Sequence, residues 1–163
     1  MINTDRLVLR RARLEDAPAL FEVFGDPQAM AYWDTLPHAD ITITERFVRW
    51  MATSDGVTSD DFVVELEGTV IGKAGFWRKP EIGYILHRNH WGKGLAKEAL
   101  TVLIARAFQH HGWDHITAEI DPRNERSRRL LLGLGFAETG FAEKTIKVGD
   151  QWVDSADFHL DRP

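Results

Sequence analysis

The sequence predicts one α+β domain built in three layers, α/β/α. Segments of strand period and of helix period are interleaved without strict alternation, which suits a mixed sheet flanked by helices. The best-ordered stretch is a strand, a tight glycine turn and a helix in direct succession. The 163 residues are 44% apolar, enough to supply one core. The whole chain, 1–163, reads as that single domain, with no repeat, low-complexity tract or linker.

Residues 7–10 form a short strand with Leu7 and Leu9 on one face. Leu14, Ala17, Leu20, Phe21 and Phe24 follow at helical spacing, Asp16 and Pro18 suit a first turn, and Gly25 to Pro27 breaks it. Met30, Tyr32 and Trp33 gather as an aromatic patch. Ile43, Phe47, Trp50 and Met51 mark a second helix, with Thr42 or Thr44 near its start as a cap. Stretches 62–66 and 70–76 read as antiparallel strands joined at Glu67 and Gly68, and Pro80 leads into a strand at 81–86. After the glycine turn and its helix, 110–113 makes a turn. Ile116, Ala118 and Ile120 then alternate with Thr117 and Glu119 as a strand. Asp121 to Asn124 offers a cap to a helix carrying Leu130, Leu131 and Leu134, stopped by Gly135. Strands around 141–148 and 152–160, turned at Gly149 and Asp150, close the chain.

The functional signal lies in 84–99. Ile82, Tyr84 and Leu86 share one strand face, and Leu95, Ala96, Ala99, Leu100, Leu103, Ala107 and Phe108 build one helical stripe. Between them, Gly92 and Gly94 permit a turn that a Cβ would resist. The first amides of such a helix have no intrahelical partner and sit at the positive end of its dipole. The turn is therefore an anion cradle, flanked by Arg88 and Lys93, and is read as the seat of the pyrophosphate of a nucleotide-like cofactor. It matches neither common phosphate loop. Leu95 follows Gly94 where a triphosphate loop has lysine, and Lys97 stands where a dinucleotide loop has its third glycine.

Composition narrows the classes further. With no cysteine, disulfides, cysteine nucleophiles and thiolate zinc sites are excluded. A net charge of −5 argues against a broad nucleic-acid surface. The apolar runs are too short to cross a bilayer, and the first residues lack a secretory pattern, so a cytoplasmic protein without membrane partners is expected. His110, His111 and His115 cluster without metal-ligand spacing and read as a polar turn, so no metal is expected.

Two motifs resemble the GNAT N-acetyltransferase superfamily. Tyr84 with Trp91, Gly92, Lys93, Gly94, Leu95 and Ala96 is similar to its acetyl-CoA loop; Asn124, Ser127 and Leu134 to Phe136 are similar to its next motif. Gly149, Trp152 and Asp154, with the opening Thr4 to Ala12, resemble the ribosomal-protein N-terminal (alanine) acetyltransferase-like branch. The resemblance covers nearly the whole chain. It implies a mostly antiparallel central sheet with splayed middle strands, the pantetheine arm of acetyl-CoA pairing with backbone near Leu86 and His87. The pyrophosphate would lie on amides from Asn89 to Ala96, with Asn89 standing where glutamine or arginine is usual. Lys93, Lys97, Arg128 and Arg129 are candidates for the adenosine phosphates, or are a solvated helix face. The implied reaction is acetyl transfer to a primary amine by direct attack in a ternary complex, with acetyl-CoA as co-substrate.

Such chemistry needs a proton acceptor for the amine, a donor for the oxyanion, and a donor for the departing thiolate. A backbone amide near Leu86 suits the oxyanion. Ser127, where the ribosomal-type branch has a serine, is the candidate at the sulfur, unless it only bonds its own helix backbone. The tyrosine that many superfamily members carry seven residues after the asparagine is replaced by Leu131, and Tyr84 is set aside because its face is shared with Ile82 and Leu86. Asn124 holds CoA, caps the helix, or does both. For the base, Glu119 leads, then Glu81, then His87 or His90; an acidic α-amine would need none.

Tyr32 and Trp33, with Trp50, Trp77 and the last hairpin, are expected around the acceptor. Asp34, Asp40, Asp60 and Asp154 favour a cationic one: a basic protein N-terminus or a small amine. A homodimer is a further partner expectation, and nucleic acid is not. The competing class is a non-catalytic acyl-CoA-binding or regulatory module on the same fold.

Overall fold

The computed structural model describes residues Met1–Pro163. Its eight strands are β1 (Ile2–Asn3), β2 (Leu7–Arg10), β3 (Asp60–Leu66), β4 (Thr69–Arg78), β5 (Glu81–Leu86), β6 (His115–Ile120), β7 (Ala137–Val148) and β8 (Gln151–Asp161). They form one sheet in the order β1-β2-β3-β4-β5-β6-β8-β7. Every neighbouring pair is antiparallel except β5 and β6. The helices are α1 (Ala17–Phe24), α2 (Ile41–Ala52), α3 (Leu95–Ala105) and α4 (Glu125–Gly133).

Strand alternation sorts the side chains into two cores. Phe62, Val64, Ile82 and Leu86 pack with Leu95, Leu100 and Leu103 of α3 on one face. Val63 and Ile85 pack with Leu20, Val23 and Phe24 of α1 and with Val48 and Met51 of α2 on the other. This is the three-layer, mixed and mostly antiparallel arrangement expected. Leu100 and Leu103 are wholly buried, and burying a leucine contributes about 1.5–3 kcal/mol.

Several details differ from the sequence reading. The cap of α2 is Asp40, which accepts from Thr42 N–H at 2.8 Å. Thr44 is instead buried, its Oγ1 2.8 Å from His38 Nδ1. Strand β7 starts at Ala137, directly after Phe136, and β1 had no periodicity to betray it. Beyond Ala105 the helix widens into one π turn, Arg106–His110. Arg106 Nε and His111 Nε2 then both reach Asp60 Oδ2, at 2.6 and 2.7 Å, while Arg11 Nη2 holds Asp60 Oδ1 at 2.6 Å. Burial alone would push the Asp60 carboxyl up; hydrogen bonds from Arg106, His111 and Arg11 outweigh it and hold the group below the usual carboxylate range. Asp60 is thus a buried tie between β3 and the end of the third helix, not part of an acceptor pocket. His111 belongs to the same tie rather than to a polar turn.

Candidate active site

The parallel pair β5 and β6 registers at one position, Glu81 against Thr117, with Thr117 N–H on Pro80 O at 3.1 Å. Beyond that point the strands part. On the other side of β5, His87 N–H donates to Ile71 O at 2.7 Å while Leu86 stands opposite Gly72. Leu86 and Gly72 are therefore a non-hydrogen-bonded pair, and by alternation Ile82, Tyr84 and Leu86 turn their own backbone groups toward β6. The indole Nε1 of Trp91 takes Leu86 O at 2.9 Å. The N–H and C=O of Tyr84 and the N–H of Leu86 are left facing the split. This corrects the expected pairing at Leu86 and His87: the His87 amide and the Leu86 carbonyl are already engaged.

The split opens onto a groove of about 730 Å3, within the size range of small-molecule sites. Gly92 and Gly94 adopt φ of 73° and 76°, a left-handed conformation that costs a residue with a Cβ roughly 1–2 kcal/mol. Space is not the constraint: a Cβ would meet nothing within 4 Å at Gly92 and only Arg6 Nη2, at 3.6 Å, at Gly94. The first helical bond of α3 is Glu98 N–H to Gly94 O at 3.0 Å, and the amides of Gly94, Leu95, Ala96 and Lys97 find no acceptor in the protein. Glu98 in turn accepts from Thr4 Oγ1, the Arg6 amide and Arg6 Nε, at 2.5, 2.8 and 2.7 Å. Arg6 Nη1 donates to Lys93 O at 2.8 Å, so the turn is held open from outside. His90, also lining the groove, buries Nδ1 without a partner. Four unclaimed amides at a helix start fit a phosphate group.

Leu86, Trp91, Gly92, Gly94, Leu95, Ala96, Lys97, Asn124 and Ser127 line the groove. His87, Asn89 and Lys93 do not: His87 Nδ1 accepts from the Asn89 amide at 3.2 Å, and Lys93 gives its carbonyl to Arg6. Arg88 is turned to Asp26 Oδ2, 3.2 Å away, and to Gln28. Arg128 is engaged by Glu138 at 2.9 Å, and Arg129 lies 81% exposed beside Glu125. Of the four cations named for the adenosine phosphates Lys97 lines the groove, and Arg123 and Arg126 join it, the last with its guanidinium 4.1 Å from the Trp91 ring centroid. Arg126 was findable, since it precedes Leu130 by four residues and shares its helix face.

On the α4 wall, Asn124 caps the helix by accepting from Ser127 N–H at 3.2 Å. Ser127, only 7% exposed, hydrogen-bonds through Oγ to the Tyr84 hydroxyl. Burial pushes the Tyr84 phenol up to about 12, against the lowering effect of Ser127. The sequence reading missed this contact. Tyr84 does share its face with Ile82 and Leu86, but with β6 splayed away its long side chain reaches α4, where a shorter one would end in the core.

Residues 6–137 match the acetyltransferase (GNAT) domain family. The chain belongs to the GNAT acetyltransferase family. An uncharacterized N-acetyltransferase of Bacillus licheniformis, p20, is 32% identical over 98% of this chain and 94% of its own length. The ribosomal protein uS5-alanine N-acetyltransferase of Escherichia coli is 37% identical over 45% of this chain and 38% of its own length. A crystal structure of a GNAT acetyltransferase from Bacillus anthracis superposes with a TM-score of 0.85 at 25% identity, covering 98% of this chain and 97% of the other. The protein is an acyl-CoA-dependent N-acetyltransferase, and acetyl-CoA is its co-substrate.

In this GNAT domain a second cavity, of about 190 Å3, meets the split and shares Tyr32 and Trp33 with the groove. Phe47, Trp50 and Trp77 add to its aromatic wall. Asp34 and Asp154, named from sequence, line it, as do Glu81 and Glu119; Asp40 and Asp60 do not. Three carboxylates here are matched internally: Glu81 by Arg78 at 2.9 Å, Asp121 by Arg123 at 2.6 Å, and the deeper Asp61 by Lys73 at 2.7 Å. Lys73 and Asp61 were legible as charges interrupting adjacent strands. Glu119 has no cation; Ser155 Oγ donates to its Oε1 at 3.2 Å, and Thr145 hydrogen-bonds to Ser155 behind it. Burial pushes Glu119 up, the Ser155 hydrogen bond opposes this, and the charges of Glu81 and Asp157 add to the rise. Burial also pushes Asp34 up, against a hydrogen bond from its own backbone, and the Glu81 charge adds. A raised carboxylate at the wall of such a pocket is a stronger base than an ordinary one.

Proposed function

We propose that residues 1–163 form one catalytic domain that acetylates a cationic primary amine, either a protein N-terminal α-amine or a small amine, by direct attack in a ternary complex in the cytoplasm. The observation that carries this reading is the pair of cavities meeting at the split sheet, one floored by free amides and the other by carboxylates. Phosphate sits on the amides of Gly94 to Lys97, and the pantetheine arm runs along the backbone of Tyr84 and Leu86. Tyr32 and Trp33, common to both cavities, press the acceptor toward the thioester. Glu119 takes the proton of the ammonium, through water where the acceptor is short. The Leu86 amide, or that of Tyr84, stabilises the oxyanion, and Ser127 donates to the departing sulfur. The aromatic wall and the uncompensated Asp34, Glu119 and Asp154 favour an acceptor whose positive charge is not confined to the reacting nitrogen.

The test is a thermal-unfolding titration with acetyl-CoA, followed by a screen of amines and basic N-terminal peptides for CoA release. A cysteine-free chain leaves CoA as the only thiol, so a thiol reagent reads turnover directly. A rise in midpoint with acetyl-CoA and release dependent on a cationic amine are expected. A folded protein indifferent to millimolar acetyl-CoA would overturn the reading.

A further inference from the structure

Tyr84 and Ser127 come to the groove from different elements, β5 and α4, and each hydroxyl has the other as its hydrogen-bond partner and no third. Two hydroxyls carry two protons, and their mutual bond uses one. With the phenol, the stronger acid of the two, donating to Ser127 Oγ, the O–H that remains is the serine's, and both side chains line the groove. From the helix, Leu131 offers no hydroxyl and is wholly buried; the phenol is supplied by the strand.

We propose that Tyr84 and Ser127 form one donor unit for the sulfur leaving acetyl-CoA, in which Tyr84 is a positioning residue that fixes where the Ser127 proton points. The inference rests on the reading that Ser127 faces that sulfur. When the tetrahedral intermediate collapses, the C–S bond breaks and its electron pair goes to sulfur. The remaining O–H of the unit hydrogen-bonds to the thiolate, and the proton that later makes it a thiol is one released by the attacking amine. Tyr84 and Ser127 hold the same protons before and after, and nothing is oxidised or reduced. At neutral pH the phenol does not ionise, since burial holds it at about 12, so the unit never lacks its second proton.

The experiment uses CoA itself and needs no acceptor: the thiolate absorbance of CoA bound to the protein, titrated with pH against the protein alone. The chain contributes no thiol of its own. A hydrogen bond to a charged group should lower the thiol pKa of bound CoA by roughly one to two pH units relative to free CoA. Tyr84→Phe and Ser127→Ala should each return most of that shift, and the double variant no more than the larger single. A fluorinated tyrosine at 84, of the same shape but a stronger acid, should deepen the shift, which a purely structural role would not do. CoA affinity and unfolding midpoint, measured on every variant, report the fold. A shift kept in Tyr84→Phe but lost in Ser127→Ala would overturn the role of Tyr84 and leave that of Ser127 standing. No shift in the CoA-saturated parent would remove both.

Discussion

Replacing Gly94 separates the two properties that the glycine turn combines. Gly94 is held at φ 76° with almost empty space where a Cβ would be, so Gly94→Ala should cost only the left-handed backbone, roughly 1–2 kcal/mol. For a chain of this length each kcal/mol moves the unfolding midpoint by about 2–4 °C, giving an expected fall of about 2–8 °C. Gly94→Glu carries the same backbone cost and adds a carboxylate beside the amides of Leu95, Ala96 and Lys97, which have no acceptor of their own. Its Cβ starts beside Arg6 Nη2, and the carboxylate beyond it competes with a phosphate for those amides. In the parent, acetyl-CoA at 100 times its dissociation constant adds about 2.7 kcal/mol, a rise of roughly 5–10 °C. Gly94→Glu should show the lower midpoint and no rise; Gly94→Ala should show the lower midpoint and part of the rise. The assay is thermal unfolding of the three proteins with and without acetyl-CoA. A parent-sized rise in Gly94→Glu would refute the assignment of these amides to the phosphate. A parent-like midpoint in Gly94→Ala would refute the backbone argument.

Three further predictions follow from neighbouring features. With the Glu119 carboxyl raised by burial, parent turnover should climb as pH rises through that raised value; Glu119→Gln should lose on the order of 10²-fold at neutral pH and recover partly at high pH, where the amine deprotonates unaided, and an unchanged pH–rate profile would remove Glu119 as base. Arg126→Ala should weaken CoA binding roughly 5–30-fold, about 1–2 kcal/mol, whereas Arg128→Ala should leave it unchanged; equal effects in a binding titration would contradict the placement of the two side chains. Asp60→Asn leaves one or two of the three donors without an acceptor at a wholly buried position and should cost about 3–5 kcal/mol, or roughly 6–20 °C of midpoint. Because the folded-state Asp60 pKa is depressed, its contribution is present above the unfolded value of about 4 and is lost as pH falls through the folded value. Acid unfolding of Asp60→Asn should be correspondingly less steep in that window, and a curve parallel to the parent's would count against the tie.

The layered fold was legible because strand and helix periods are written locally: Val63 and Ile85 alternate away from Phe62 and Ile82, and Leu100 and Leu103 follow at helix spacing. The anion cradle was legible for the same reason, since a helix start and two glycines are neighbours in sequence. What escaped was set by geometry between distant elements. Tyr84 and Ser127 are 43 residues apart, and no period says that a splayed strand lets a phenol cross to a helix. Asp60 reads as an acid favouring a cationic acceptor until Arg11, Arg106 and His111 converge on it from outside β3. Arg128 and Arg126 are two residues apart with the same charge; Glu138, on β7, draws one away while Trp91 holds the other.

The two halves of the sheet, β1 to β5 and β6 with β8 and β7, share one backbone register pair, at Glu81 and Thr117. Away from that pair the halves are joined through side chains, Ile82 and Leu95 sharing one core with Ile116 and Phe158. A ligand that altered the width of the gap would couple the two substrates through the scaffold as well as through contact with each other. Linkage makes that coupling symmetric: by whatever factor one substrate tightens or loosens the seat of its partner, the partner returns the same factor.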